Sequence, residues 1–110
     1  MTAHVPDRGQ IVLLNFDPRA GSEIGKRRPA LVVSPKAYNR ITGFALVCPV
    51  TTKPRDYPFE VAVNTNKTTG VVLADRLRSF DWRARQCVLI EKAPAGVLEE
   101  VRARLLPLIE

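Results

Sequence analysis

Two side chains in this 110-residue chain are suited to work on a phosphoryl group: Arg28 and Thr51. Arg28 closes the stretch Gly21-Ser22-Glu23-Ile24-Gly25-Lys26-Arg27-Arg28-Pro29, and Thr51 follows the apolar run Phe44-Ala45-Leu46-Val47-Cys48-Pro49-Val50. A guanidinium is planar and forked, so it matches two phosphate oxygens at once. A threonine hydroxyl can hold a phosphate oxygen or a ribose 2′-OH. Cleavage of a phosphodiester by its own 2′-OH requires no nucleophile from the protein. It requires that the hydroxyl be oriented, protons moved, and the charge on pentacovalent phosphorus stabilised. Arginine is a poor base at neutral pH, so the proton carrier is left unassigned. The chemistry also needs a fold that brings the two segments together.

Other chemistries have less support. Asp75 and Asp81 are the best-placed carboxylates for acid–base work, but no spacing rule links them. His4 is the single histidine, which disfavours a nucleophilic triad, a paired-histidine mechanism and a histidine-rich metal site. Cys48 and Cys87 lie in apolar runs without CxxC spacing and read as buried, reduced thiols. No metal ligand set and no cofactor are expected. The charge points to an anionic partner. Residues 1–55 hold nine Lys/Arg against three acids and so carry the whole +6 excess, while the remainder holds eight of each sign. With an isoelectric point near 9.9, nucleic acid is the first expectation.

The elements that must position these groups are short. Strands are expected at residues 10–16, 29–34, 44–48, 59–63, 71–74, 77–80 and 87–90, separated by turn-forming sequence. The basic loop runs to Arg28 and, with two glycines, is expected to be poorly ordered until a partner binds. Ser34-Pro35 offers an N-cap and a first-turn proline for one helical turn at 36–39. Leu98, Val101, Leu105 and Leu108 form a helical stripe with Val97 beside it, and Glu100 precedes Arg104 by four. Seven short strands and one C-terminal helix predict a single domain over 1–110, mainly β with short helices (α+β). A compact barrel or strongly bent sheet carries the helix on its outside. No apolar run reaches the length of a membrane span and the N-terminus lacks a signal-peptide core, so a cytoplasmic location is expected.

Several segments in a fixed order carry a family likeness. They are Val5-Pro6-Asp7-Arg8-Gly9, Phe16-Asp17-Pro18, Gly21-Ser22-Glu23, Arg28-Pro29-Ala30, Ser34-Pro35, Tyr38-Asn39, Pro49-Val50-Thr51-Thr52, Tyr57-Pro58-Phe59-Glu60-Val61, Ala74-Asp75 and Trp82-Arg83-Ala84-Arg85. Through them the chain resembles the MazF/PemK toxin endoribonucleases over essentially its full length. The resemblance implies an SH3-like β-barrel of the MazF/PemK/CcdB type, assembled as a homodimer. It implies metal-independent, sequence-specific cleavage of single-stranded RNA to 2′,3′-cyclic phosphate and 5′-hydroxyl ends, inhibiting translation and growth. A MazE-like antitoxin with an acidic C-terminal segment is the implied inhibitor. The family's catalytic arginine and threonine match Arg28 and Thr51.

Around that pair, Asn15, Phe16, Glu23, Lys26, Arg27, Lys53, Arg55, Arg76 and Ser79 are the RNA-binding candidates. Lys53 and Arg55 are assigned to phosphates. Phe16 stands evenly between base contact and core, and Glu23 between capping its loop and reading a base edge. Trp82 is assigned to supporting the barrel or dimer interface rather than to base stacking. Two positions depart from relatives: Arg27 stands where enterobacterial toxins have His, and Arg76 where Gln is common. An arginine can pair with guanine's O6/N7 edge or a phosphate but lacks an amide's acceptor, which implies a different target sequence. Two rival readings share the fold. One is a non-catalytic toxin that binds DNA gyrase, disfavoured because this chain ends Leu108-Ile109-Glu110 rather than Trp-Gly-Ile. The other is an RNA-binding member without activity.

Overall fold

The computed structural model describes residues 4–17 and 26–110. Seven strands run β1 Gln10–Asn15, β2 Arg27–Val32, β3 Phe44–Thr51, β4 Glu60–Asn64, β5 Thr69–Leu73, β6 Arg78–Asp81 and β7 Val88–Lys92. Helix α1 (Lys36–Thr42) follows β2, and helix α2 (Val97–Leu105) passes into a 3-10 turn at Leu106–Leu108. The sheet order is β4-β5-β3-β2-β1-β7, with β6 also paired to β3, and every pairing is antiparallel. The mainly β architecture anticipated from the strand spacing is therefore observed.

Strand alternation sorts the apolar side chains onto two faces. One face buries Ile11, Leu31, Cys48, Val50, Val61, Val63 and Val72 against Val97 and Val101 of α2. The other buries Val12, Leu14, Phe16, Ala30, Val32, Ala45, Val47, Phe80 and Trp82. Contact between Phe16 at the end of β1 and Phe80 of β6, with ring centroids 4.8 Å apart, shows how far the sheet curls onto its second face. Asn39 is buried beside that face. Its Nδ2 donates to the carbonyls of Pro6 and Ser34, and its own carbonyl accepts from Trp82 Nε1 at 2.9 Å.

Two prolines mark where β3 changes partners. In β2, even-numbered residues bond toward β1 (Gly9 N–H donates to Val32 O), while Val33 N–H donates to Leu46 O of β3. The backbone of Pro29 therefore faces β3, where it has no N–H to donate, and the β2–β3 ladder ends at Ala30–Pro49. Pro49 by the same alternation faces the opposite edge of β3. It sits between the β6 ladder, which ends at Val47–Arg78, and the β5 ladder, which includes Val50–Val72. Each proline occupies a point where a ladder bond is absent, which is how a central strand tolerates it.

Several expected boundaries shift. Arg27 and Arg28 belong to β2 rather than to the preceding loop, because β1 extends the pairing to Leu14–Arg28 and Asn15–Arg27. β3 runs on through Pro49 to Thr51 for the reason just given. Ser34 does not cap α1; its hydroxyl is engaged with Asn39 Oδ1 and with the amide of Leu46. α1 runs on to Thr42, and Gly43 closes it in the left-handed conformation. In α2 the buried stripe is Val97-Val101-Leu105, and Leu108 is half exposed. The Glu100–Arg104 pair forms, at 3.5 Å. The expected disorder of the basic loop falls on residues 18–25, outside the described residues.

Gly70 is the tightest backbone approach in the sheet. Its φ is +152°, and a Cβ there would meet the carbonyl oxygen of Thr51 at 2.2 Å. Gly70→Ala is expected to cost roughly 2–4 kcal/mol, from overpacking against backbone together with a conformation suited to glycine. A lowered urea midpoint with an unchanged slope checks this.

Candidate active site

The end of the β2–β3 ladder opens a gap between the first residues of β2 and the last of β3. Carrying the β2–β3 register two residues beyond Ala30–Pro49 sets Arg28 opposite Thr51. Both side chains belong to the face that holds Leu14, Ala30 and Val47, since residues opposite one another in an antiparallel pair share a face. Both are half-buried. The arginine and the threonine singled out by their chemistry are thus brought together by register. The prolines keep the strands from closing over the gap.

Thr51 is fixed from two sides. Its backbone pairs with Val71 of β5, and Gly70 lets that strand lie against it. Its Oγ1 accepts the Lys53 amide at 3.2 Å, which leaves the hydroxyl proton to donate outward. Arg28 is fixed through the base of the basic loop. Phe16 N–H donates to Lys26 O and Lys26 N–H donates to Asp17 Oδ1, both at 2.7 Å. These two bonds hold Lys26 at φ +67°, a strained value for a residue with a Cβ. Arg85 Nη1 donates to the carbonyl of Asp17, Asn15 N–H donates to Arg85 O, and Arg27 Nη2 reaches Gln86 O at 3.4 Å. The turn after β6 thereby clamps both ends of the loop.

A second wall carries Lys53, Arg55 and Arg76. Glu60 accepts the Arg55 amide at 2.9 Å, and Tyr57 donates its hydroxyl to Asp75 Oδ2, pinning the β3–β4 loop to the β5–β6 turn. Arg76 N–H closes that turn on Leu73 O, and the Arg76 charge lies near enough to Tyr57 to act on its titration. Lys53 and Arg55 are exposed and Arg76 is half-buried.

The remaining candidates divide. Phe16 is 1% exposed with its ring packed edge-on to Phe80, so it is a core residue and its face is closed to a base. Trp82, 2% exposed, supports the fold as expected. Asn15, Arg27 and Ser79 alternate onto the face away from Arg28 and Thr51, and Asn15 Oδ1 is spent on the Asp17 amide. Lys26 is exposed at the loop base, and Glu23 lies outside the described residues. Asp81 Oδ1 accepts the Arg83 and Ala84 amides, a turn-forming role rather than an acid–base one. Sequence reasoning passed over Arg78 and Arg85, whose guanidinium carbons lie 4.7 and 5.4 Å from the Phe80 ring centroid. Nothing in local sequence distinguishes them from solvated surface arginines.

Comparison with known proteins agrees with this geometry. Residues 7–109 match the family described as PemK-like, MazF-like toxin of type II toxin–antitoxin system. The endoribonuclease toxin MazF of Escherichia coli K12 is 39% identical over 109 residues, covering 99% of this chain and 98% of that protein. The endoribonuclease PemK of Escherichia coli is 39% identical over 104 residues, covering 90% and 78%. The crystal structure of MazF from Deinococcus radiodurans superposes with a TM-score of 0.92 at 53% identity, covering 97% of this chain and 98% of that one. A MazE–MazF structure from the same organism gives 0.87 at 53% identity, covering 97% of each chain.

Burial sets the titration of the two thiols. It pushes Cys48 up to about 12, with Asp75 adding to the effect, and Cys87 up to about 11. The hydrogen bond to Asp75 raises Tyr57, chiefly by holding its proton. At pH 8 a free thiol with pKa about 8.5 is roughly one-quarter thiolate, and the folded thiols far less. Native protein is therefore expected to react with Ellman's reagent at least ~100-fold more slowly than urea-unfolded protein. The neutral thiol is favoured in the fold, so its stabilising contribution is complete below pH 8.5 and declines as pH rises beyond it. Denaturant midpoints from pH 7 to 10 read that decline.

Proposed function

Because this chain belongs to the PemK-like, MazF-like toxin family of type II toxin–antitoxin systems, we propose that it is a sequence-specific endoribonuclease toxin acting on single-stranded RNA. The ribose 2′-OH attacks the adjacent phosphorus, and the products are a 2′,3′-cyclic phosphate and a 5′-hydroxyl. The observation that carries this reading is the placement of Arg28 opposite Thr51 on one face, at the point where β2 and β3 part. The Arg28 fork takes two non-bridging oxygens as negative charge builds on phosphorus. The Thr51 hydroxyl, already accepting from Lys53, donates to a phosphate oxygen or aligns the 2′-OH. Partial burial of both strengthens these contacts relative to water. Lys53, Arg55 and Arg76 on the second wall follow the strand through its phosphates and one base edge.

An acidic antitoxin segment of the MazE kind is the natural inhibitor of such a surface, and a MazE–MazF complex is known for Deinococcus radiodurans. The working unit is a homodimer in the cytoplasm. Apolar side chains left exposed on the single chain, Ile41 at 83% and Val88 at 51% among them, support a surface covered by another chain.

Incubation of pure protein with a long RNA in EDTA, beside Arg28→Ala and Thr51→Ala, tests the activity. Site-specific cuts by the wild type and a fall of about 10²–10³-fold or more in each variant are expected. A wild type that leaves the RNA intact would refute the reading. Cleavage-site mapping with Arg76→Gln is expected to show a changed target sequence, and identical sites in both proteins would remove Arg76 from base recognition.

A further inference from the structure

Arg78 and Arg85 share a single aromatic ring. Their guanidinium carbons lie 4.7 and 5.4 Å from the Phe80 centroid, and the ring is held in the core, 2% exposed, by edge contact with Phe16. Two cations on one ring repel each other, and such an arrangement ordinarily has a carboxylate nearby. Here the described residues supply none: their one ion pair is Arg104–Glu100 on α2. Asp81, the nearest acid in sequence to Arg78, faces the other side of the strand, and its Oδ1 accepts two backbone amides. Arg78 makes no hydrogen bond among the described residues. Arg85 spends only Nη1, on the carbonyls of Asn15 and Asp17, which leaves the rest of its fork unused.

The pair also stands where a strand of RNA would pass. Arg78 pairs opposite Val47, and Val47 and Thr51 are both odd-numbered residues of β3, so Arg78, Thr51 and Arg28 occupy one face. Four residues of strand separate Val47 from Thr51, roughly 13 Å. An anion held by Arg78 is therefore a neighbouring group on the same polyanion rather than the one being cleaved. We propose that Arg78 and Arg85, stacked on Phe80, form a phosphate-binding subsite for the RNA backbone flanking the scissile position. Phe80 orients both forks and lowers their hydration, and the phosphodiester supplies the missing negative charge. The proposal rests on the nuclease reading for its substrate, but not on catalysis for its test.

The experiment measures binding of a mixed-sequence 2′-O-methyl RNA oligonucleotide, which cannot be cleaved, by fluorescence anisotropy over a range of KCl concentrations. Arg78→Gln is expected to weaken binding about 5–10-fold and to flatten the slope of log K against log salt by about 0.7, the value for one lost single-strand phosphate contact. Arg78→Lys is expected to recover the slope, because it restores the charge. With cleavable RNA, Arg78→Gln raises KM by a similar factor and leaves kcat unchanged, as a contact made equally in ground and transition states requires. Wild-type affinity and slope in Arg78→Gln would overturn the subsite, even where the wild type cleaves normally. A loss seen only toward an acidic peptide would overturn it as well. A wild type that binds RNA with the expected dependence on Arg78, yet does not cleave, would retire the nuclease reading and leave the subsite standing.

Discussion

The architecture depends on two absent hydrogen-bond donors. Pro29 faces β3 and Pro49 faces the opposite edge of β3, and neither has an N–H to contribute. In a flat, fully paired sheet both would be defects. Here they fall where β3 parts from β2 and where its other edge passes from β6 to β5. The strand can therefore belong to two ladders in succession, and the sheet can curl. Arg28 and Thr51 are the residues on either side of the opening that results. A gap kept open by covalent structure does not depend on flexible side chains to stay accessible.

Around this opening the protein uses backbone hydrogen bonds to place its charged groups. The Asp17–Lys26 and Phe16–Lys26 bonds hold a positive-φ residue at the loop base, and Arg85 reaches across from the turn after β6 to the same segment. On the far side, Tyr57 and Asp75 join the β3–β4 loop to the β5–β6 turn. The two walls are thus tied to different parts of one sheet. Their cations, Arg28, Arg78 and Arg85 on one side and Lys53, Arg55 and Arg76 on the other, stand over apolar layers without being drawn into surface ion pairs. That is the electrostatic condition a polyanion-binding surface needs: positive charge left uncompensated until the ligand arrives.

Buried polar groups in the second layer show how rigidly the site is backed. Asn39 connects the N-terminal segment at Pro6, the β2–α1 turn at Ser34 and the indole of Trp82. Each bond satisfies a group that burial would otherwise penalise by about 1–3 kcal/mol, so the network fixes one arrangement of α1 against the sheet. Phe80 is packed from below by Phe16 and crowned by two arginines, which makes one core ring serve both packing and the surface above it.

The sequence by itself determined the strand-rich class, the C-terminal helix and the chemistry open to Arg28 and Thr51. These follow from β-branched runs, a helical stripe and side-chain functional groups, all of which are local properties. It also held the family likeness, since the ordered segments from Val5 to Arg85 are legible without coordinates. Register was decided only by the tertiary structure. Whether Arg28 belongs to a loop or a strand depends on β1 lying beside it, and whether Phe16 meets a base or the core depends on Phe80, 64 residues further along the chain. The faces of Asn15, Arg27 and Ser79 were likewise fixed by pairing, because one residue of strand reverses a side chain's direction. The meaning of Arg78 and Arg85 lay in a shared ring that no spacing in the sequence reveals. Local chemistry named the groups able to act on a phosphate; long-range hydrogen bonding chose which of them stand together.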